Sequence, residues 1–400
     1  MKKKLEVNVT SKDKHQKHVH LAKPDMGDYG RIELGFLGTS CGNIQKLAQL
    51  VIERLSLTYK IAYVDADHKE GDALLAGKGD KESLMEFPNT VELRDKIVFK
   101  RIDRRQEEVS VFEQREWLNN QELVLINANH FKAKDQILVI DPKKPMDKKL
   151  SKITHVRLLV LQKGQSDIPE YIKNHIPDWD QLPVINISEV DKIMDFIKEF
   201  TDSNRAIVNG LVLIGGKSSR MDRDKSGLTY HEKSQKDHVN DMLQKYCKDV
   251  FLSCNQEQHE KFNGNYLMIK DKITGLGPMG GIISAFMENP DAAWLSVACD
   301  LPFLSEETIA YLLKNRNPSK LATVFLDSEG KFPEPLITIW EPRAYPVLLR
   351  YLSQGYSCPR KVLINSDVEV LKAPDVQEFQ NINDPEAYAS AIKTIKKEKI

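Results

Sequence analysis

Two glycines directly after a buried strand are the first residues whose types and spacing could do chemistry. Gly215 and Gly216 follow the apolar segment 206–214, where they let the backbone approach a ligand and point successive N–H groups at it. The same loop adds hydroxyl groups and positive charges, on Ser218, Ser219, Arg220 and Lys225. This combination suits the phosphates of a nucleoside triphosphate. A glycine turn that carries surface charges would give the same residues, so the interpretation needs support from elsewhere in the chain.

Three later segments give that support. A second glycine-rich loop, 274–281, precedes an apolar helix, and Asp300 comes directly after a buried strand that ends near Ala298. Because ligands and metals bind at the carboxyl ends of the strands in α/β sheets, Asp300 is a candidate Mg²⁺ ligand, with a simple capping role as the alternative. Asn381 and Asn383 place two amides on one face of an extended segment before the last predicted helix, where a helix-capping turn is the other interpretation.

In chain order, the motifs GGxSxRMxxDK, GLGPMGG, CDLPF and NxNDPE resemble the molybdenum-cofactor guanylyltransferases of the MobA type. The resemblance covers about residues 206–400, half of the chain. It implies a Rossmann-like nucleotidyltransferase fold, with GTP and molybdopterin as substrates and Mg²⁺ as cofactor. The implied reaction transfers GMP from GTP to molybdopterin (Mo-molybdopterin) and releases pyrophosphate, in molybdopterin guanine dinucleotide biosynthesis.

The resemblance also implies roles for individual residues. Gly215 and Gly216 would lie against the nucleotide, Arg220 and Lys225 would hold its phosphates, and Asp300 would ligate Mg²⁺. The implied catalytic residues are Lys225, Arg220 and Asp300. The implied nucleotide-binding set is Leu213, Gly215, Gly216, Ser218, Arg220, Lys225, Asp271 and Gly277. The implied substrate-binding residues, near the pterin or the metal, are Asn381 and Asn383.

One position departs from the family pattern. The family usually has glycine after the Arg-Met pair, whereas this chain has Asp222, whose side chain could crowd the triphosphate and whose charge could repel it. The retained Asp224 and Lys225 favour a functional loop over a decayed one.

Three functions remain open at this point. In the resembling families, Gly-Gly goes with guanine and Ala-Gly with cytosine, so Gly215 and Gly216 favour GTP. A cytidylyltransferase or a sugar-phosphate nucleotidyltransferase of the same fold is the nearest alternative. A non-catalytic molybdopterin-binding protein is the alternative from a different class, and Asp222 is one of the features that support it.

The N-terminal half resembles the MobB-type partner of these enzymes, with a P-loop that has degenerated. A P-loop needs G-x-x-x-x-G-K-[ST], but Gly38 and Gly42 are one residue too close, and Asn43 and Ile44 replace the lysine and the hydroxyl. We therefore expect an accessory domain that does not hydrolyse GTP. A small polar site is one interpretation of the predicted strand ends, and ordinary loop caps are the other; the residues are Asp65, Asp67, His68, Asn127, Asn129 and His130.

The chain as a whole is predicted to be α/β, with two Rossmann-like α/β domains, the C-terminal one of nucleotidyltransferase type. Short apolar runs alternate with segments that have helical periodicity, which is typical of largely parallel sheets. The predicted boundaries are a polar tail at 1–30, a MobB-like domain at 31–204 and a MobA-like domain at 205–400. The tail contains three histidines among lysines, which we interpret as a solvated segment and not a metal site; they are His15, His18 and His20.

The composition argues against several classes of protein. The formal net charge is zero, which argues against a broad surface for nucleic acid or an acidic membrane. The five cysteines are scattered without a CxxC pair, as expected of reduced thiols in the cytoplasm. No apolar run approaches the roughly 20 residues of a membrane span, and the residues after Met1 predict no signal peptide. Candidate protein partners are molybdoenzymes or other molybdenum-cofactor proteins.

Overall fold

The computed structural model of the protein describes residues 26–66, 91–104, 109–214, 227–262, 266–382 and 385–398. The strands are β1 Ile32–Leu37, β2 Ile61–Val64, β3 Val91–Asp95, β4 Lys100–Arg104, β5 Leu123–Asn127, β6 Asp135–Ile140, β7 Val156–Leu161, β8 Val184–Asn186, β9 Val208–Leu213, β10 Val250–Cys254, β11 Leu267–Lys270, β12 Ala293–Ala298, β13 Ala322–Leu326, β14 Pro333–Trp340 and β15 Glu369–Leu371. The α-helices are α1 Cys41–Leu55, α2 Val111–Trp117, α3 Glu170–His175, α4 Val190–Ser203, α5 Gln235–Gln244, α6 Gln256–Phe262, α7 Pro278–Glu288, α8 Glu306–Lys314, α9 Ala344–Ser353, α10 Pro359–Ile364 and α11 Pro385–Glu398.

By their contacts these elements form two groups. The smaller group contains the antiparallel hairpin β3–β4 and helix α2, with an ion pair between Arg104 and Glu113. The larger group contains the other strands and helices. Within the described ranges, no helix is both long and apolar enough to cross a membrane.

A six-stranded sheet is formed by the N-terminal half, in the order β2-β5-β1-β6-β7-β8, and all its strand pairs are parallel. Strands β5 and β6 are buried along their whole length, as expected of strands that are covered on both faces. Helices α1 and α4 pack on the sheet through apolar faces that include Ile44, Val51, Ile193 and Ile197. The periodicity in the sequence predicted both helices.

The C-terminal half forms a seven-stranded sheet in the order β11-β10-β9-β12-β14-β13-β15. Strands β9, β10, β11 and β12 are parallel, but β14 is antiparallel to both of its neighbours. The connection from Leu326 to Pro333 is short, whereas a parallel pair needs a crossover of a dozen or more residues. Together the two sheets confirm the predicted mixed α/β class.

Close packing behind β9 depends on one glycine. A Cβ at Gly210 would lie 3.1 Å from Val250 Cγ2 and 3.2 Å from Leu243 Cδ1. The absence of a side chain therefore lets β10 and α5 approach the strand that leads into the first glycine loop.

A buried ionic network joins the two sheets. Glu122, which is 1% exposed, accepts hydrogen bonds from Arg205 Nε at 3.0 Å and from the hydroxyl of Ser319. Nearby, the Arg316 guanidinium makes two bonds to Glu341, at 2.7 and 2.8 Å. The two halves thus share a charged contact in which a buried glutamate pairs with a partly exposed arginine. The predicted domain boundary at 204/205 stays a prediction.

Candidate active site

The first glycine loop lies outside the described residues. This applies to the predicted site residues Gly215, Gly216, Ser218, Arg220 and Lys225, and also to Asp222, Asp224 and Asn383. Leu213 is the last residue of β9 and is buried. The structure therefore shows where this loop begins and which residues surround that point.

The carboxyl ends of three parallel strands lie in register at the start of the loop. Leu213 is paired with Ser253 on one side and with Ala298 on the other. Asp271 follows the next strand, β11, and Asp300 follows β12. The structure therefore brings Leu213, Asp271 and Asp300 to one edge of the sheet, which is where α/β proteins bind ligands.

Asp271 is a partly buried carboxylate that accepts a side-chain hydrogen bond. The Ser253 hydroxyl donates to Asp271 Oδ1 at 2.9 Å. Burial raises the pKa of Asp271 above its usual value, and the Ser253 hydrogen bond opposes that rise. A hydroxyl or amine of a ligand would stabilise the ionised carboxylate further, so Asp271 is suited to accept a hydrogen bond from a nucleotide.

The glycines of the second loop have two different functions. Gly275 and Gly277 have positive φ, at +80° and +56°, and a Cβ on either would meet nothing within 4 Å. A Cβ on Gly280 would lie 2.6 Å from the Ile273 carbonyl oxygen, and one on Gly281 would lie 2.3 Å from Ser253 Oγ. The first two glycines therefore shape an open loop, and the last two allow α7 to pack against the sheet.

The segment of Asn381 is attached to the turn that carries Asp300. The Ile382 N–H donates to the Asp300 carbonyl oxygen at 3.0 Å. Asn381 is exposed beside it. The structure thus brings Asn381 and Ile382 to the turn of Asp300, and the binding role of Asn381 stays a prediction.

A second carboxylate, missed by sequence reasoning, lies beside Asp300. Strand β14 pairs with β12 so that Val297 is opposite Ile337. Glu334 lies near the start of β14, at the end of this pair where β12 leads into the turn of Asp300. Glu334 is 6% exposed and accepts a hydrogen bond from Arg360 Nη2 at 2.9 Å. Burial raises the pKa of Glu334, the charge of Asp300 raises it further, and Arg360 lowers it.

A buried tyrosine also faces this edge. Tyr230 is 6% exposed, and its hydroxyl has no hydrogen-bond partner among the described residues. Its ring lies edge-on to Tyr388 at 5.0 Å, and the Tyr388 hydroxyl donates to the Thr229 carbonyl at 3.2 Å. Burial raises the pKa of Tyr230, and the charge of Asp300 contributes to that rise. Helix α11 therefore packs on the segment that follows the first glycine loop.

The donors at this edge fit Mg²⁺. In the part of the chain that the structure describes, no group of three or more His, Cys, Asp or Glu side chains could hold a metal alone. Mg²⁺ usually binds proteins through one or two carboxylates and completes its shell with water and substrate phosphates. Asp300, with Glu334 beside it, offers this kind of incomplete oxygen site.

The polar residues predicted at the strand ends of the N-terminal sheet come together as well. Asn127 Nδ2 donates to Asp65 Oδ1 at 2.7 Å, and Asn127 Oδ1 accepts from the Asn129 N–H at 3.1 Å. His130 Nε2 lies 3.2 Å from Cys41 Sγ. Asp67, His68 and the histidines of the N-terminal tail lie outside the described residues. These groups bind largely one another, which is typical of loop caps.

In the degenerate P-loop region, Gly38 and Thr39 are both engaged by other parts of the fold. A Cβ at Gly38 would lie 2.2 Å from the Val139 carbonyl oxygen, so this glycine is required by packing. The Thr39 hydroxyl donates to Asp141 Oδ2 at 2.6 Å. A carboxylate at the mouth of the loop disfavours a phosphate there, because like charges repel.

The C-terminal part of the chain is similar to known proteins. The family model of the MobA-like NTP transferase domain matches residues 210–370. The molybdenum cofactor biosynthesis bifunctional protein of Synechocystis sp. is 32% identical over 188 residues, 47% of this chain and 54% of that protein. The chain therefore spans about half the length of that relative.

Two further proteins resemble the same part. The molybdenum cofactor guanylyltransferase of Shewanella halifaxensis is 29% identical over 153 residues, 38% of this chain and 76% of that protein. The crystal structure of molybdopterin-guanine dinucleotide biosynthesis protein A from Archaeoglobus fulgidus is 23% identical, covers 47% of this chain and 99% of that chain, and has a TM-score of 0.41. The family match extends from β9 to β15 and includes Asp271, Asp300 and Glu334. Residues 210–370 of this chain therefore match the model of the MobA-like NTP transferase domain.

Proposed function

We propose that this protein is a molybdenum cofactor guanylyltransferase, which transfers GMP from GTP to molybdopterin and releases pyrophosphate. One observation carries the proposal. Asp271 and Asp300 lie at the same sheet edge as the start of the first glycine loop, inside a domain that matches the MobA-like family. A triphosphate on the glycine loop would thus lie between two carboxylates with different environments.

The reaction requires positioning and neutralisation of charge more than acid–base catalysis. A phosphate oxygen of molybdopterin attacks the α-phosphorus of GTP, in line with the departing pyrophosphate. Arg220 and Lys225 bind the triphosphate and stabilise the leaving group as its charge grows. A general base is not needed, because a phosphate nucleophile is already ionised near neutral pH.

Asp300 is the proposed Mg²⁺ ligand, and Glu334 adds negative charge beside it. The cation supplies charge neutralisation between the α-phosphate and its neighbours when it is bound. Asn381 and Asn383 would bind the pterin or complete the metal site, since Ile382 between them is bonded to Asp300.

Nucleotide recognition is assigned to the two glycine loops and Asp271. Leu213, Gly215, Gly216 and Ser218 would line the backbone side of the nucleotide. Asp271 would accept a hydrogen bond from it, and the open left-handed Gly277 would allow close approach. The Gly-Gly pair favours guanine over cytosine.

The N-terminal half is proposed to be a MobB-like accessory domain that does not hydrolyse GTP. Its P-loop lacks the lysine and the hydroxyl, and Asp141 engages Thr39 at the loop. We place the protein in the cytoplasm, where molybdoenzymes or other molybdenum-cofactor proteins would receive the product.

A nucleotide panel tests the proposal. Pyrophosphate release is measured with GTP, CTP, ATP and UTP, with molybdopterin supplied and omitted. We expect release with GTP only, and only when molybdopterin is present. Release with CTP alone would make the protein a cytidylyltransferase. Binding of molybdopterin without release of pyrophosphate from any nucleotide would make it a binding protein.

A further inference from the structure

Three consecutive carbonyl groups at Asp300 are each bound by a donor from elsewhere in the chain. The Asp300 carbonyl accepts from the Ile382 N–H at 3.0 Å. The Leu301 carbonyl accepts from Gln235 Nε2 at 3.2 Å, and the Pro302 carbonyl accepts from His231 Nε2 at 2.7 Å. The turn after β12 is thus fixed along its backbone, and with it the origin of the Asp300 side chain.

The donors come from the two segments that carry the other candidate ligands. His231 and Gln235 follow the first glycine loop, within ten residues of Lys225. Ile382 lies between Asn381 and Asn383. The same hydrogen bonds that hold the Asp300 turn therefore connect it to the segment at 231–235 and to the segment of Asn381.

The burial of the Gln235 amide does not by itself stabilise the fold. It is the first residue of α5, fully buried, and its Oε1 has no hydrogen-bond partner among the described residues. A buried amide with only one of its two polar atoms hydrogen-bonded stabilises the folded state less than an apolar side chain of the same size. An apolar side chain could not make the hydrogen bond from Gln235 Nε2 to the Leu301 carbonyl. We therefore infer that this bond is the reason for a polar residue at this position.

His231 is held in a fixed orientation. Its ring stacks on His238, with centroids 3.9 Å apart and planes inclined by 19°. Burial, and then the neighbouring His231 and Lys233, lower the pKa of His238 to about 4, so the stacked partner is uncharged at neutral pH. The stack directs the His231 N–H at the Pro302 carbonyl.

We propose that His231 and Gln235 are positioning residues that set the Asp300 carboxylate for a divalent cation. The proposal rests on the proposed function in one respect, the role of Asp300 as a metal ligand. Groups that orient a metal ligand typically change metal affinity about 10-fold to 100-fold when they are removed. Loss of the donor on either His231 or Gln235 should therefore lower the affinity of the Asp300 site for a divalent cation by a similar factor.

The test uses the full chain and Mn²⁺ as the probe, with an α,β-methylene analogue of GTP that cannot transfer GMP. Free Mn²⁺ is measured by electron paramagnetic resonance. His231→Phe keeps a stacking ring and removes the donor, and Gln235→Met keeps length and burial. We expect each variant to bind Mn²⁺ at least about 10-fold more weakly than the wild type. His231→Gln, which restores an N–H donor, should recover part of the affinity.

Two matched controls remove the same kinds of bond elsewhere. His175 Nε2 lies 3.2 Å from the Ile153 carbonyl, and Gln136 Nε2 donates to the Lys152 carbonyl at 2.9 Å. His175→Phe and Gln136→Met should leave Mn²⁺ affinity unchanged, whatever they do to the melting temperature. Wild-type Mn²⁺ affinity in His231→Phe and Gln235→Met would overturn the proposal, as would equal losses in the controls.

The outcome is separable from that of the proposed function. Mn²⁺ binding that is lost in Asp300→Asn and weakened in the two variants supports the positioning role, even if the wild type releases no pyrophosphate with molybdopterin. Guanylyl transfer by a wild type whose Mn²⁺ affinity is insensitive to His231 and Gln235 leaves the proposed function intact and contradicts the positioning role.

Discussion

At the residue scale, Asp271 combines a position suited to ligand binding with an unfavourable environment for its charge. Its pKa is raised by burial, so ionising it costs free energy in the folded state. Its contribution to stability is complete below the pKa of an aspartate in the unfolded chain, about 3.9. It is lost as pH rises through the higher folded pKa.

Asp271→Asn should therefore be more stable than the wild type near pH 7, and its relative advantage should shrink toward pH 4. The amide keeps an oxygen for the Ser253 hydroxyl, but it removes the ionised acceptor, so GTP affinity should fall. Urea unfolding across pH, with GTP titrations beside it, checks both effects. A variant that is less stable at neutral pH and binds GTP normally would exclude this function of Asp271.

Lys225 belongs to the same scale, although it lies outside the described residues. If its ammonium meets charge that grows as pyrophosphate departs, Lys225→Ala should lower kcat more than GTP affinity. Lys225→Arg should restore only part of the rate, because a planar guanidinium group does not replace the compact ammonium group of lysine. Single-turnover rates at saturating GTP measure this. An unchanged rate in Lys225→Ala would leave the lysine without a role in the chemistry.

At the scale of elements, the packing of α7 depends on glycine. A Cβ at Gly281 would lie 2.3 Å from Ser253 Oγ, and Ser253 is the residue that donates to Asp271. Gly281→Ala should destabilise the fold by about 1–3 kcal/mol and weaken nucleotide binding with it. Gly42→Ala is the control, because a Cβ there meets nothing within 4 Å. Denaturant unfolding compares the two, and equal stabilities would contradict the packing argument.

The sequence predicts most of these elements because their signals are local. An apolar run that ends in aspartate located β12 and Asp300, and helical periodicity located α1 and α4. Glu334 could not be found this way, because its place near Asp300 depends on the antiparallel pairing of β12 and β14. The hydrogen bonds of His231 and Gln235 to the Asp300 turn could not be predicted either, because no local pattern indicates which distant carbonyl a side chain will contact.

At the scale of the whole molecule, the buried contact between the two sheets should contribute substantially to stability. Glu122→Ala would leave Arg205 and Ser319 without their shared acceptor. Removing one partner of a buried pair costs about 3–5 kcal/mol. We expect a value near the lower end, because Arg205 also contacts Asp202 at 3.1 Å.

An exposed ion pair at the same interface provides the control. Asp367 pairs with Lys60 and Lys320 near the surface, and Asp367→Ala should cost less than about 1 kcal/mol. Urea unfolding of both variants measures the difference. A similar small effect of Glu122→Ala would mean that the interface contributes little to holding the halves together.

The sheet edge at Asp300 is proposed to be the place where GMP is joined to molybdopterin. The most direct measurement is a single-turnover reaction of the full chain with GTP, Mg²⁺ and molybdopterin, in which molybdopterin guanine dinucleotide is detected by mass spectrometry and pyrophosphate is quantified. The wild type should form both products in equal amounts. Asp300→Asn, with a circular dichroism spectrum and melting curve like those of the wild type, should lose nearly all of the rate, since each ~1.4 kcal/mol of lost transition-state stabilisation lowers it tenfold. A wild type that forms no dinucleotide, or an Asp300→Asn variant that forms it at the normal rate in limiting Mg²⁺, would contradict the account.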